Sequence, residues 1–381
     1  MVREIEIQQP FDLQLSLTMG QAFRWKLLPE GFYSDGHRWF SGVLGNNLIH
    51  IRRTGTGVAY RVGGPDGERK ATDGDDVLLR RYFRDDDDAA AIYADISNRD
   101  IHIAGLVRKY SGMRVLRQEP WECLASYICS RSNKIPNIRQ CVSEIAALSR
   151  QTMNLGHDER RPFPPPQRIL EVKLEGLIEL EFAGRFTRDF PSAILGAAQR
   201  VHDGQLDFDG MKPWGYPVVI QGLMQGRRYG SKVPNGIGAK IANCVALMSL
   251  DKLEAFPVDT HIRRLVNDRW FGWEKPPSDS RILQWAQNYF GPNAGYVGQF
   301  IFCDRAQAGN RTVSSTSRTK VQDTAKSRSG IFADHRARPC PFCGASPGSH
   351  CKTPGGYYLL QGHSDRRSPA RRAIRTARPR R

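Results

Sequence analysis

The hydrophobic period of this chain changes near residue 70, and that change limits the folds open to it. Before it, short β-branched and aromatic runs occur at Gln21-Ala-Phe-Arg-Trp25, Trp39-Phe-Ser-Gly-Val43, Leu48-Ile-His-Ile51 and Val58-Ala-Tyr-Arg-Val62. Turns such as Ser34-Asp-Gly36 and Gly45-Asn-Asn47 separate them, a pattern that predicts an antiparallel meander. From about residue 75, apolar residues recur three and four apart, as in Asp76–Phe83 and Trp121–Ile128, which predicts helices. Pro-rich breaks at Pro162–Pro166 and Pro213–Pro217 punctuate these helices to about residue 305. The expected fold class is therefore α+β, with an antiparallel β-sheet domain over residues 1–95 packed on a helical domain over 96–305. The run Asp85–Asp88 before Ala89 reads as an acidic helix N-terminus rather than a metal box.

Charge separates the rest of the chain from this core. The 381 residues carry a net charge of +17, which points to a polyanionic partner, nucleic acid first. Residues 306–381 hold 16 Lys and Arg against three acids, while residues 1–305 hold 40 against 36. Residues 306–335 read as a flexible basic linker, and Arg366–Arg381 contains eight arginines. No apolar run approaches the ~18–20 residues needed to span a bilayer. Met1-Val-Arg-Glu-Ile-Glu6 lacks the basic-then-apolar pattern of a leader, so no membrane partner is expected. Five cysteines (Cys123, Cys129, Cys141, Cys244, Cys303) lie scattered in apolar contexts, and three cluster near the end. That usage suits a reducing cytoplasm, close to the nucleoid, with a local metal site.

The most informative stretch is Pro234-Asn-Gly-Ile-Gly-Ala-Lys240, which leads directly into an apolar helix with Ile241, Val245 and Met248 on one face. Gly236 and Gly238 can turn tightly and aim backbone N–H groups at a DNA phosphate. Alone, Gly-x-Gly before a helix is equally a simple helix-helix turn. Nineteen residues past Lys240 comes Pro257-Val-Asp259-Thr-His261, where Asp259 is an obvious N-cap. A lysine in the first turn of a helix meets the positive end of the dipole, and partial burial also disfavours its charge. Both effects favour a nucleophilic amine, and a nearby carboxylate could stabilise positive charge developing on a sugar ring.

These residues resemble the helix-hairpin-helix DNA glycosylases, and specifically the 8-oxoguanine DNA glycosylase family. Three further segments agree: Phe11-Asp-Leu to Gly20-Gln-Ala-Phe-Arg-Trp25, Gly112–Glu122 through Ile128-Cys-Ser130, and Ala294-Gly-Tyr296 to Phe302. The resemblance covers about residues 5–305 in order. It implies a base flipped from duplex DNA into a pocket, Lys240 attacking the sugar C1′, Asp259 supporting that step, and β-elimination nicking the strand. It places Gly20, Cys244, Met248, His261 and Phe302 in the base pocket. For Cys244 and Met248, core packing is an equally good reading.

The resemblance breaks at the residues that would read the base. Gly298 stands where the family has a glutamine, with Gln299 one step and about 100° away on a helix. The estranged-base readers correspond to Ser132 and Asn137, with Asn133 retained between them. The wedge pair appears as Arg185-Phe186. The chemistry thus reads as conventional and the base recognition as altered. Candidate substrates are an 8-oxoguanine-like base or a bulkier hypermodified base of phage DNA, such as a glucosylated hydroxymethylcytosine. A non-cutting binder of modified DNA is the remaining alternative.

Beyond the linker, residues 336–381 contain Cys340-Pro-Phe-Cys343, Cys351 and His363, a C-x2-C-x7-C-x11-H spacing that suits a tetrahedral zinc ion. His350 adjoins Cys351 and is the weaker fourth ligand. The spacing resembles small zinc-ribbon DNA-binding modules, which implies phosphate binding beside the arginine tail. Structural Zn2+, with room for a monovalent cation at the hairpin, completes the expected cofactors. The expected assembly is a monomer on double-stranded DNA.

Overall fold

A computed structural model of the chain describes residues 2–180, 189–225 and 237–314. Contacts divide the described chain into two compact units. One holds the residues up to Pro257 together with Pro292–Gln307, and the other contains Val258–Gly291. The observed fold mixes a β-sheet with many helices, as the change of period predicts.

The sheet has eight strands, all paired antiparallel: β1 (Arg3–Glu6), β2 (Lys26–Leu27), β3 (Phe40–Leu44), β4 (Asn47–Arg53), β5 (Gly57–Gly64), β6 (Gly67–Arg69), β7 (Met153–Leu155) and β8 (Asp158–Arg160). The order β2-β3-β4-β5-β7-β8 runs across it, and β1 and β6 also pair with β5. Leu44 faces Asn47, so Gly45-Asn46 is a two-residue hairpin turn, with Gly45 in the left-handed region at φ +58°.

Two parts of the sheet differ from the sequence reading. Gln21–Trp25 is not a strand. Side-chain contacts hold it instead: the Trp25 ring lies so close over Gly42 that a Cβ there would fall 2.2 Å from it. The Gln21 amide donates to the Arg114 carbonyl (2.8 Å) and accepts from the Leu116 N–H (2.9 Å). Strand pairing begins only at Lys26. The β7–β8 hairpin comes from within the stretch expected to be helical, and Gly64 of β5 pairs with Asn154. Asp158 anchors it to the sheet, accepting from Ser41 Oγ, Lys26 Nζ (2.6 Å) and His50 Nε2 (3.1 Å).

One face of the sheet buries Trp25, Ile49, Ile51, Val58 and Tyr60 together with Phe11, Leu17, Leu79 and Tyr82. Burying each such side chain stabilises the fold by about 1.5–3 kcal/mol. Trp25 Nε1 donates to Tyr82 Oη at 2.7 Å, tying the sheet to the helix Asp73–Tyr82, which starts in a Thr72/Asp75 capping box. The acidic run behaves as expected. Asp88 caps the helix Ala89–Arg99, and Asp85, Asp86 and Asp87 pair with Arg80, Arg117 and Arg84. Among the described residues, no group of three His, Cys, Asp or Glu side chains could hold a metal.

Two buried helices position the candidate site. Pro120–Cys129 has Glu119 as N-cap and Pro120 in its first turn, where a missing N–H costs nothing, and eight of its residues are buried. It packs on Ala239–Ser249, in which nine residues are buried. Tyr216–Met224 lies alongside, its Tyr216 hydroxyl bonded to Asn243 Oδ1 at 2.8 Å. The other unit carries the helix Thr260–Val266, a π-helical turn Asn267–Phe271 ended by Gly272 at φ +61°, and the helix Asp279–Phe290. Trp270, Phe271, Trp285, Tyr289 and Phe290 pack in successive ring contacts there.

Candidate active site

Lys240 is the second residue of the helix Ala239–Ser249. Ile241, Val245 and Met248 are buried, so the helix cannot turn about its axis and the half-buried lysine is presented at its first turn. The amine donates to Ser130 Oγ at 2.6 Å and lies 5.2 Å from the centre of the Tyr127 ring. Both partners belong to the end of Pro120–Cys129, Ser130 being its C-cap. No side chain caps the lysine's helix at Gly238. Gly238 itself has ordinary extended backbone, φ −90° and ψ 176°, and among the described residues nothing lies within 4 Å of where its Cβ would be. The backbone therefore does not require glycine at 238, and the tight-turn argument does not apply at this position. Gly236 lies outside the described residues.

Cys244 and Met248 are buried, 3% exposed each, and the Met248 sulfur accepts from Tyr127 Oη (2.8 Å) and Gln118 Nε2 (3.3 Å). For Met248 the structure brings out packing beneath the site. Gly20 has φ +74°, and a Cβ there would fall 2.7 Å from the ring of half-buried Phe302 and 3.2 Å from Ile135. These two residues of the expected pocket are thus in mutual contact, and only glycine permits it. Gly20→Ala is expected to destabilise the fold by about 1–3 kcal/mol, from left-handed strain and displacement of Phe302. Urea denaturation measures this, and unchanged stability would contradict it.

The reading positions are changed in a definite way. Gly298 faces Phe256, whose ring would lie 3.2 Å from an added Cβ. An aromatic face rather than open space therefore occupies the start of the missing side chain's path. Gln299 is 6% exposed, and its amide donates to the Met19 carbonyl at 3.2 Å. Asn133 is also engaged locally: its Nδ2 donates to the Cys129 carbonyl (3.2 Å) and its Oδ1 accepts from the Lys134 N–H (2.9 Å). Ser132 is exposed with φ +50°, and Asn137 is half-buried in the first turn of the helix Ile135–Ala147.

Asp259, in the other unit, caps its helix as its sequence context predicts. Its Oδ1 accepts from the N–H groups of His261 (2.9 Å) and Ile262 (2.7 Å). This leaves Oδ2 for other work, and His261 is exposed on the first turn. Arg185, Phe186, Cys340, Cys343, Cys351 and His363 lie outside the described residues.

The sequence placed Ser130, Tyr127, Gln21 and Gln118 only inside longer motifs and gave none of them a role of its own. These four form the bed beneath Lys240 and Met248. Tyr127 Oη also contacts the Gln21 carbonyl (3.2 Å), which accepts from Gln118 Nε2 (3.0 Å). Burial pushes the Tyr127 hydroxyl well above its ordinary range, so it remains a donor. No periodicity flags such contacts, which join residues more than 90 positions apart.

Comparison with known proteins bears on the fold that carries these residues. Residues 4–124 match the 8-oxoguanine DNA glycosylase N-terminal domain. The N-glycosylase/DNA lyase OGG1 of Arabidopsis thaliana is 27% identical over 323 residues, covering 82% of this chain and 83% of that protein. The Clostridium acetobutylicum 8-oxoguanine glycosylase/lyase, solved with double-stranded DNA containing cytosine opposite 8-oxoG, superposes with a TM-score of 0.68. That match has 22% identity and covers 81% of this chain and 98% of the other. MBOgg1, solved with a low-affinity DNA ligand, gives the same score and identity over 81% and 99%. No described helix is long and apolar enough to cross a membrane. The chain is thus similar to the 8-oxoguanine DNA glycosylases in the sequence of residues 4–124 and in its fold.

Proposed function

We propose that this protein is a DNA glycosylase with lyase activity, acting on a modified base flipped from duplex DNA. The observation that carries the reading is Lys240, whose amine projects from the start of a buried, immobilised helix in a glycosylase fold. Flipping costs a few kcal/mol, least for a damaged or mispaired base. Lys240 Nζ then attacks C1′, the glycosidic bond breaks, and the base departs with the bonding electrons and a proton. The aminal left on the sugar opens at C1′–O4′, O4′ taking a proton, and the protonated imine so formed acidifies C2′; loss of that proton expels the 3′ phosphate by β-elimination. Asp259, with one oxygen held by its own helix, is assigned to the positive charge that develops on the sugar. Gly20 and Phe302 form one side of the base site by resemblance, and their mutual contact supports that placement.

An 8-oxoguanine-like base is the substrate class indicated by the relatives. A second reading is favoured by Gly298, which carries no polar side chain, and by Gln299 and Asn133, whose amides donate to the Met19 and Cys129 carbonyls. A site without those contacts discriminates weakly by hydrogen bonding, which admits a hypermodified base of phage DNA as target. Cys340, Cys343, Cys351 and His363 keep the spacing of a zinc set, and with the +13 charge of residues 306–381 this supports a tethering role on phosphate.

The test is base release, measured in single turnover, from duplexes carrying 8-oxoguanine opposite each of the four bases and from glucosylated phage DNA. Release of 8-oxoguanine should vary less than about tenfold with the opposite base, because Asn133 is engaged within the protein and Ser132 and Asn137 stand where the family has an asparagine and an arginine. Strong preference for cytosine would defeat the altered-recognition reading. No release and no borohydride-trapped adduct on any duplex would leave a non-cutting binder.

A further inference from the structure

The contact between Lys240 and the end of the helix Pro120–Cys129 ties the expected nucleophile to residues given no role so far. Ser130 Oγ donates its proton to the Tyr127 carbonyl at 2.7 Å. With that proton committed, its lone pairs face outward and accept from Lys240 Nζ at 2.6 Å. The Tyr127 ring provides a second boundary, 5.2 Å from the same nitrogen. That ring cannot swing away. Phe23 packs edge-on against it at 5.7 Å, and its hydroxyl bonds Met248 Sδ and the Gln21 carbonyl. Gln21 is in turn fixed to the backbone of Arg114 and Leu116.

We propose that Ser130 is the positioning residue for the Lys240 nucleophile, with Tyr127 as its rigid support. Rotation about four side-chain bonds would otherwise scatter the amine over several ångströms. Accepting one N–H fixes the torsion about Cε–Nζ, so the lone pair of the neutral amine points away from Pro120–Cys129. Ser130 takes no proton in this arrangement, because its own is already held by a carbonyl. Its contribution is orientation, which raises the rate of attack without changing how tightly DNA binds.

This inference rests on Lys240 being the nucleophile, and the experiment separates the two claims. Single-turnover formation of the borohydride-trapped adduct is followed for the full-length protein and for Ser130→Ala, Ser130→Thr, Ser130→Cys and Lys240→Gln, alongside DNA affinity. Ser130→Ala should slow adduct formation roughly 10- to 100-fold while affinity changes by less than about twofold. Ser130→Thr, which restores the hydroxyl, should recover most of that rate, and Ser130→Cys, a weak acceptor, should fall between. Wild-type rates in Ser130→Ala, or no recovery in Ser130→Thr, overturn the proposal. Should Ser130→Ala fail to fold, the ratio of Ser130→Thr to Ser130→Cys decides, and equal rates count against it. An adduct persisting in Lys240→Gln would instead sink the nucleophile assignment itself.

Discussion

Lys240→Gln is expected to abolish the trapped adduct and to lower base release by at least about 10^3-fold, equivalent to about 4 kcal/mol of transition-state stabilisation. The effect should be confined to chemistry. The amine touches Ser130 and Tyr127, and neither contact spans the core of the helix, which is held by Ile241, Val245 and Met248. Stability should therefore change by less than about 1 kcal/mol, as at other half-exposed sites. A glutamine is one atom shorter and keeps an N–H donor, but the lone pair of its amide nitrogen is delocalised and cannot attack carbon. Residual base release without an adduct would mean that water, activated elsewhere, displaces the base. Full release with an adduct would place the nucleophile at another residue.

What the sequence revealed depended on the range of the interaction. β3, β4 and β5 were legible because alternation and the Gly45-Asn46 turn are local signals. The caps at Asp88 and Asp259 were legible for the same reason, since each bonds N–H groups within three residues. The β7–β8 hairpin was not: three residues a strand give no period, and its place in the sheet comes from Gly64, some ninety positions earlier. Gln21–Trp25 has the composition of a strand, yet packing over Gly42 and bonds to Arg114 and Leu116 override it. In the site, Lys240 could be found from the hairpin preceding it. Ser130 could not, because only the packing of two buried helices brings its hydroxyl to the amine. Gly298 illustrates the opposite case. Its departure from the family pattern was visible at once, but the Phe256 ring occupying the adjacent space was not.

The second large effect concerns stability and its dependence on pH. Asp158 is 5% exposed and joins β8 to β2, β3 and β4 through Lys26, Ser41 and His50. Burial alone would raise its pKa. The hydrogen bonds from His50, Lys26 and Ser41, with the Lys26 charge, outweigh burial and hold the carboxyl well below the usual carboxylate range. The far side of the cluster is also set: burial pushes Tyr33 up to about 12, so its hydroxyl stays protonated and donates to His50 Nδ1 at 2.6 Å. His50 then presents an Nε2–H to Asp158. A carboxyl more acidic in the folded than in the unfolded state stabilises the fold above its unfolded pKa, near 3.9. That contribution is lost as pH falls below it. Asp158→Asn should cost about 2–4 kcal/mol at neutral pH, less than a fully buried pair because Lys26 is half exposed. The melting temperature should fall by roughly 3–8 °C. The gap between wild type and variant should narrow between about pH 5 and pH 2, as the unfolded wild-type chain takes up the proton that the folded carboxylate still refuses. A gap that stays constant across that range would show the network to be neutral or merely steric. The consequence reaches the site by a traceable route. Arg160 of the same hairpin donates to the Arg24 carbonyl at 2.7 Å, and Arg24 pairs with Glu122 on the helix that carries Tyr127 and ends at Ser130. Below its lowered melting point the variant should still form the Lys240 adduct. Its half-life on warming should shorten, because the hairpin braces the helix that holds the nucleophile's partner rather than the nucleophile itself.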